Sequence, residues 1–171
     1  MKHFLTILVL GALLAACGTP KTAGLKAERK ASQLQRNVEN IERALRDSDY
    51  VIAFDYVHPR TMEPRFLTSY YRIHVMGDSI DSNLPYYGRA YRINFNYESP
   101  LDFVGPITKP VVVYKDSTTL NIRFNARHRD EILEYDMNVH NDASVELHVT
   151  SAERDYCDFT GSFEFQRKSR P

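Results

Sequence analysis

Residues 132–150 read ILEYDMNVHNDASVELHVT, with apolar and polar side chains alternating on both sides of a polar turn. The apolar positions are all odd-numbered: Leu133, Tyr135, Met137, Val139, Val145, Leu147 and Val149. A period of two is typical of a β-strand with one buried face. Because directly opposed residues share a face, odd positions pair with odd positions and the turn holds an odd number of residues. We therefore predict an antiparallel hairpin with the loop 142–144, in which Val139 lies opposite Leu147 and Asn141 opposite Val145.

The same period recurs along most of the chain after residue 48. Further alternating runs cover residues 50–57, 70–76, 88–97, 110–115, 118–126 and 157–166. Prolines and turn signals such as Gly77-Asp78-Ser79 separate these runs. About eight short strands at hairpin spacing predict one antiparallel sheet over residues 48–167, arranged as a sandwich or a partly closed barrel.

One amphipathic helix, over residues 24–47, precedes the strands. Its apolar residues follow i, i+4, i+7, i+11 spacing and form one narrow stripe: Leu34, Val38, Ile41 and Leu45. A narrow stripe favours a helix that lies against a sheet. The predicted fold class is therefore mainly β, of the α+β type, with one N-terminal helix.

The N-terminus has the composition of an exported lipoprotein. Lys2 precedes an apolar run that ends in Leu14-Ala15-Ala16-Cys17. The run is too short to span a membrane and ends in small residues, which is typical of a secretory signal peptide. A cysteine directly after the small pair resembles the lipobox of bacterial lipoproteins. We expect cleavage after residue 16, fatty acylation of Cys17 by palmitate-type chains, and a tether over residues 17–23.

The residues after the lipobox suggest which membrane the lipid enters. No acidic residue follows Cys17 before Glu28. Inner-membrane retention often uses an aspartate directly after the cysteine, and surface export resembles a short acidic run there. Since neither is present, we expect the outer membrane, with the domain facing the periplasm.

Charge and cysteine content argue against a nucleic-acid partner and against an intramolecular disulfide bond. The chain has 22 Lys and Arg against 22 Asp and Glu, a formal net charge of zero, which gives no support for a nucleic-acid partner. Cys17 and Cys157 are the two cysteines. With Cys17 acylated, Cys157 has no disulfide partner, and we expect it to be a half-buried strand residue.

The most unusual local sequence is NLPYYGRAY at residues 83–91. Pro85 fixes its own φ and Gly88 permits a bend. Tyrosine and arginine are enriched at interfaces, so this segment predicts a binding rim. Its candidate residues are Tyr86, Tyr87, Arg89 and Tyr91. The alternative, which we favour, is a structural corner whose tyrosines pack on the sheet and bond backbone carbonyls.

Catalytic and metal motifs are not evident. The serines lack the Gly-x-Ser-x-Gly elbow of a hydrolase nucleophile. His140 and His148, near Glu146, are candidate zinc ligands, because imidazole and carboxylate groups commonly bind zinc. The expected register places His140 opposite Glu146 and His148 opposite Asn138, so the imidazoles are diagonal neighbours. We interpret them as solvated strand histidines and predict no metal, no cofactor and no catalytic residue.

Gly77-Asp78-Ser79, the segment Leu84-Pro85-Tyr86-Tyr87-Gly88-Arg89-Ala90-Tyr91 and the closing Phe163-Glu164-Phe165 together resemble domain-of-unknown-function family 4251. The resemblance covers about residues 47–166. It implies a small secreted or lipid-anchored protein of the kind typical of Bacteroidetes. The family carries no activity, ligand or site residues that the resemblance could transfer.

The sequence therefore favours a non-catalytic binding module of the cell envelope, with an envelope protein or a small apolar ligand as partner. A ligand-holding barrel would place inward aromatic residues around a cavity of several hundred Å³, among them Tyr91, Phe95, Phe124 and Tyr135. A periplasmic hydrolase is the second class, and it requires convergent polar groups of perturbed pKa. A purely structural envelope protein is the third.

Overall fold

The structure is a computed structural model that describes residues 21–91 and 99–165. Within these residues, one helix precedes eight strands. In chain order the elements are α1 (Lys21–Asp47), β1 (Asp49–Pro59), β2 (Arg65–Met76), β3 (Ser79–Asn83), β4 (Asp102–Tyr114), β5 (Thr119–His128), β6 (Glu131–His140), β7 (Ser144–Ser151) and β8 (Arg154–Glu164). The expected signal peptide, Cys17 and residues 92–97 of an expected strand lie outside the described residues.

The eight strands form a closed antiparallel barrel. Each strand pairs with the next, and β8 pairs back with β1 along a register that places Ile52 opposite Phe163. Of the two predicted arrangements, the barrel is the one present, and it closes fully. The mainly β fold class with one N-terminal helix is confirmed.

Alternation along the strands fills the barrel interior with apolar side chains. The largest fully buried ones are Ile52, Val57, Ile73, Ile80, Ile122, Leu133, Tyr135, Met137, Leu147 and Phe159, with Leu84 and Leu101 from the segments between strands. Full burial of one such side chain contributes about 1.5–3 kcal/mol. The core therefore supplies the main driving force for folding.

Helix α1 begins at Lys21, three residues before the expected start, and ends at Asp47. Up to Leu34 it belongs to a compact unit of its own, and side chains 24–33 are exposed. From Gln35 it belongs to the same compact unit as the barrel, where Ile41 joins the core cluster. Among the described residues, no helix is long and apolar enough to span a membrane.

The β6–β7 hairpin confirms the predicted parity but not the predicted register. Odd residues pair with odd residues, yet Val139 lies opposite Val145, not Leu147. The three loop residues are 141–143, one position earlier than expected. Asp142 Oδ1 accepts from the backbone nitrogen of Ser144 at 2.9 Å, and Ala143 adopts a positive φ of 73°. This turn is typical of hairpins with three-residue loops, in which the last loop residue adopts a left-handed conformation.

Two strand assignments were wrong. Residues 88–91, expected to begin a strand, form only an isolated bridge between Ala90 and Arg154. Conversely, β3 was missed, because Ser79–Asn83 has one apolar residue and resembles a turn. Its inward Ser82 is satisfied by bonds to the carbonyl of Leu101 and the hydroxyl of Tyr135.

Candidate functional site at one end of the barrel

The Tyr-rich segment after β3 lies across one end of the barrel. Leu84 enters the core there and is fully buried. Its nitrogen donates to the carbonyl of Leu101 at 3.1 Å, and its carbonyl accepts from Ser99 Oγ at 2.7 Å. The start of the segment is therefore fixed by packing and by backbone hydrogen bonds.

Tyr86 has the contacts of a structural corner. Its hydroxyl is shared between the carbonyl oxygens of Arg89, at 3.0 Å, and Asp155, at 3.1 Å. The Arg154 guanidinium lies 5.3 Å from the centre of its ring. Burial raises the pKa of Tyr86 to about 12. The hydroxyl thus stays protonated and ties the segment to β8.

Tyr87 is half-buried against the same end. Arg65 lies 4.8 Å from the centre of its ring, a cation–π distance. The carbonyl of Tyr87 accepts from Cys157 Sγ at 3.4 Å. Cys157 is a free thiol and is buried more deeply than expected. Burial raises the pKa of the Cys157 thiol, so the thiol is held in its unreactive form.

Asp155 is the centre of the site and was not among the predicted residues. Its side chain is 4% exposed. Oδ1 accepts from the Tyr91 hydroxyl at 2.6 Å and from Arg60 Nη1 at 3.0 Å, while Oδ2 accepts from the backbone nitrogen of Arg89 at 3.2 Å. The hydrogen bond from Tyr91 is the main reason that the pKa of Asp155 is lowered. The carboxylate is therefore charged and holds three donors around it.

A second buried carboxylate lies at the same end of the barrel. Glu131 accepts from Arg154 Nε at 2.6 Å and from Ser151 Oγ at 2.5 Å, and Arg154 Nη2 also donates to it. Burial by itself raises the pKa of Glu131, but these donors outweigh it and the pKa is lowered. The pair fixes the start of β6 against the start of β8.

The four predicted residues divide into two pairs. Tyr86 and Tyr87 are half-buried and hold the segment on the barrel. Arg89 and Tyr91 are exposed. The backbone nitrogen of Arg89 donates to Asp155, and the side chain of Arg89 is exposed.

The histidines considered as zinc ligands are not brought together. His140 Nδ1 lies 3.2 Å from Thr119 Oγ1, whereas His148 contacts Asp158. The observed register places His148 opposite Asp136 and Glu146 opposite Asn138, which corrects the expected pairings. Among the described residues, no group of three His, Cys, Asp or Glu side chains is placed to hold a metal ion.

The inward aromatic residues pack on each other. Phe124 and Tyr135 stack with ring centres 5.2 Å apart. Tyr91, also expected to point inward, lies at the surface, and Phe95 falls outside the described residues. The pocket between Tyr86, Leu101 and Cys157 has no room for a water molecule. Neither this stacked pair nor this pocket leaves room for a ligand.

These features define a small closed β-barrel domain with an N-terminal helix and a Tyr- and Arg-rich end. The model of the family described as "Domain of unknown function (DUF4251)" matches residues 32–163, and the chain belongs to that family. A crystal structure of a DUF4251 family protein from Bacteroides eggerthii is similar in fold, with a TM-score of 0.55 at 15% identity. The match covers 78% of this chain and 87% of the other. No curated protein matches the sequence.

Asp155 was missed because it lies far along the chain from the segment that it holds. One signal was available. In β8 the inward positions are odd, as at Cys157 and Phe159, and Asp155 has the same parity. An aspartate at an inward position predicts a buried carboxylate that needs donors.

Proposed function

We propose that this protein is a lipid-anchored, non-catalytic binding module of the cell envelope. Its lipid, on Cys17, would hold it at the outer membrane with the barrel in the periplasm. Its recognition surface is the barrel end that carries Arg89 and Tyr91, and its partner is an envelope protein.

The hydrogen-bond network around Asp155 carries the proposal. It holds one tyrosine and one arginine, Tyr91 and Arg60, at the surface in fixed positions by bonds of 2.6 and 3.0 Å to the same oxygen atom. Arg60 Nη1 also donates to the Tyr91 hydroxyl at 3.2 Å. Side chains that are ordered before binding lose less conformational entropy when a partner arrives. Exposed tyrosine and arginine are the residue types that dominate binding energy at interfaces.

The pKa shifts favour binding over catalysis. A general acid needs a carboxyl group with a raised pKa. At this end of the barrel, the pKa of both Glu131 and Asp155 is lowered. Both carboxylates are also bound by arginine and hydroxyl donors of the fold itself, which is the pattern of structural ion pairs. A hydrolase is therefore less well supported than a binding module.

The test is capture of partners from envelope extracts by the full chain. The double variant Arg89→Ala/Tyr91→Ala removes the exposed side chains. Tyr70→Ala/Arg127→Ala is the matched control, since Tyr70 is 60% exposed against 58% for Tyr91 and also donates to a carboxylate, that of Glu164. We expect the first variant to lose proteins that wild type and control retain. Equal capture by all three would refute the recognition surface.

The anchor is tested separately. Mass spectrometry of the mature N-terminus should find a fatty-acylated Cys17 as the first residue. Cys17→Ser should prevent lipid attachment. The protein should then be found either as the uncleaved precursor or in the soluble fraction. An unmodified thiol on Cys17 would refute the anchor and leave the recognition surface to be judged on the capture experiment.

A further inference from the structure

The positive charge of helix α1 is confined to its first half. Residues 21–34 carry Lys21, Lys26, Arg29 and Lys30 against one acidic residue, Glu28, so that basic residues exceed acidic ones there. Basic and acidic residues are equal in number over residues 35–47 and over the whole chain. The excess of positive charge is therefore a local feature of the segment that follows the expected anchor.

Three of these cations share one side of the helix. At about 100° per residue, Lys26, Arg29 and Lys30 fall within an arc of about 100°. Gln33 lies near the centre of this arc, because residues three, four and seven apart are neighbours on a helix surface. Glu28 lies about 200° from Lys26, on the opposite side. The three cations, all exposed, are called the basic face below.

The composition of this segment suits contact with an anionic surface and not insertion into a membrane. Among residues 24–33, Leu25 is the one large apolar residue, and it is 52% exposed. A helix that inserts into a bilayer needs a broad apolar face. Clustered lysine and arginine next to a membrane anchor are instead attracted to anionic lipid headgroups, and salt screens this attraction.

The short connection to Cys17 places the basic face near the bilayer surface. Four residue steps separate Cys17 from Lys21, which span at most about 14 Å. Lys30 lies about 14 Å further along the helix. Surface charges act over a Debye length of about 8 Å at physiological ionic strength. All three cations of the basic face come within that distance together when the first half of α1 lies along the surface.

We propose that the basic face binds the anionic phosphate headgroups of the leaflet into which the Cys17 lipid inserts. The proposal rests on the lipid anchor proposed above and adds an electrostatic attachment to it. Each lysine or arginine near an anionic bilayer strengthens association by about fivefold. Three cations therefore give about a hundredfold preference for an anionic over a neutral surface.

Tryptophan fluorescence tests the contact, because the sequence contains no tryptophan. Gln33→Trp introduces a single reporter at the centre of the basic face. The protein is produced from the full sequence, purified from the membrane fraction and reconstituted into vesicles of phosphatidylcholine, or of phosphatidylcholine and phosphatidylglycerol in equal parts. Acrylamide, a neutral quencher, should quench the tryptophan about half as strongly in the anionic vesicles. High salt should remove the difference.

Two matched variants of the Gln33→Trp protein locate the effect. The first changes all three cations of the basic face to glutamine, which has a similar helix propensity. The control, Lys109→Gln/Arg123→Gln/Arg127→Gln, removes the same charge from three exposed residues of the barrel. We expect the first variant to lose the difference between the two kinds of vesicle and the control to keep it. Circular dichroism should show that both variants retain the helix.

The anchor and the basic face can fail separately in this experiment. Cosedimentation with neutral vesicles reports the lipid on Cys17, whereas the difference between anionic and neutral vesicles reports the basic face. If the lipid is absent, the protein should still cosediment with anionic vesicles alone. Equal behaviour in both kinds of vesicle would overturn the proposal and leave an acidic protein as the partner of this face. A difference that the barrel control also loses would overturn it as well.

Discussion

The hydroxyl of Tyr91 donates a 2.6 Å hydrogen bond to the carboxylate of Asp155, 64 residues further along the chain. Backbone bonds reinforce it: the nitrogen of Asp155 donates to the carbonyl of Arg89 at 3.0 Å, and the nitrogen of Tyr91 donates to the carbonyl of Glu153 at 2.7 Å. The segment that closes this end of the barrel is thus held to β8 by one buried carboxylate and a short bridge.

Loss of the Asp155 carboxylate should loosen this segment without unfolding the barrel. In Asp155→Ala, three donors lose their common acceptor, while Leu84 stays buried in the core. We expect trypsin to cleave after Arg89 about tenfold faster under native conditions, because cleavage follows the population of the locally opened state. Asp158→Ala is the control, since its carboxylate pairs with the half-exposed His148. An unchanged cleavage rate in Asp155→Ala would show that the carboxylate does not hold the segment.

The hydroxyl of Tyr86 should contribute measurably to stability. Tyr86→Phe keeps the ring under Arg154 but removes the donor to the carbonyls of Arg89 and Asp155. We expect the free energy of unfolding in urea to fall by about 1 kcal/mol. Tyr87→Phe is the matched control, because within residues 21–91 and 99–165 its hydroxyl makes no hydrogen bond, and it should have wild-type stability. Equal effects of the two substitutions would contradict this role.

The buried pair of Glu131 and Arg154 should make stability depend on acid pH. The folded-state pKa of Glu131 is lowered, so the pair contributes stability above the unfolded value of about 4.3, and this contribution is lost as the pH falls through the folded value. Glu131→Gln leaves the Arg154 charge without its partner, and should cost about 3–5 kcal/mol at pH 7.

Urea unfolding of wild type and Glu131→Gln from pH 7 to pH 3 checks this dependence. The difference in free energy of unfolding should be constant down to about pH 5 and should shrink below about pH 4. Glu42→Gln, in an exposed pair with Arg46, should differ little from wild type at any pH. If the difference in free energy of unfolding instead grew as the pH fell, the pKa of Glu131 could not be lowered in the folded state, and the role of the pair would be refuted.

Sequence periodicity predicted the barrel core well, since the apolar residues at every second position of β6 and β7 must share one face. It failed where local chemistry or distant contacts decide the outcome. The register of the β6–β7 hairpin depends on Asp142 accepting from Ser144 and on the positive φ of Ala143. Strand β3 was missed because its inward Ser82 finds acceptors and donors in segments remote in sequence.

The candidate site shows the same division. Residues 83–91 were identified by composition. The structural role of Tyr86 was anticipated from the chemistry of proline, glycine and tyrosine. The partner Asp155 was not identified, because only the closed barrel brings the start of β8 beside this segment.

Barrel closure depends on close approach of β1 and β8 at Gly161. A Cβ on Gly161 would lie 2.7 Å from Cα of Phe54 and closer still to the carbonyl oxygen of Ala53, at the place where the register between the two strands shifts. Backbone atoms cannot move aside as a flexible side chain can, so Gly161→Ala should separate the strands and cost about 4 kcal/mol or more. Gly24→Ala is the control, since a Cβ on Gly24 meets nothing within 4 Å and alanine favours a helix by about 1 kcal/mol. Thermal unfolding by circular dichroism should show a large loss for the first variant, and a wild-type midpoint there would mean that closure tolerates a wider spacing.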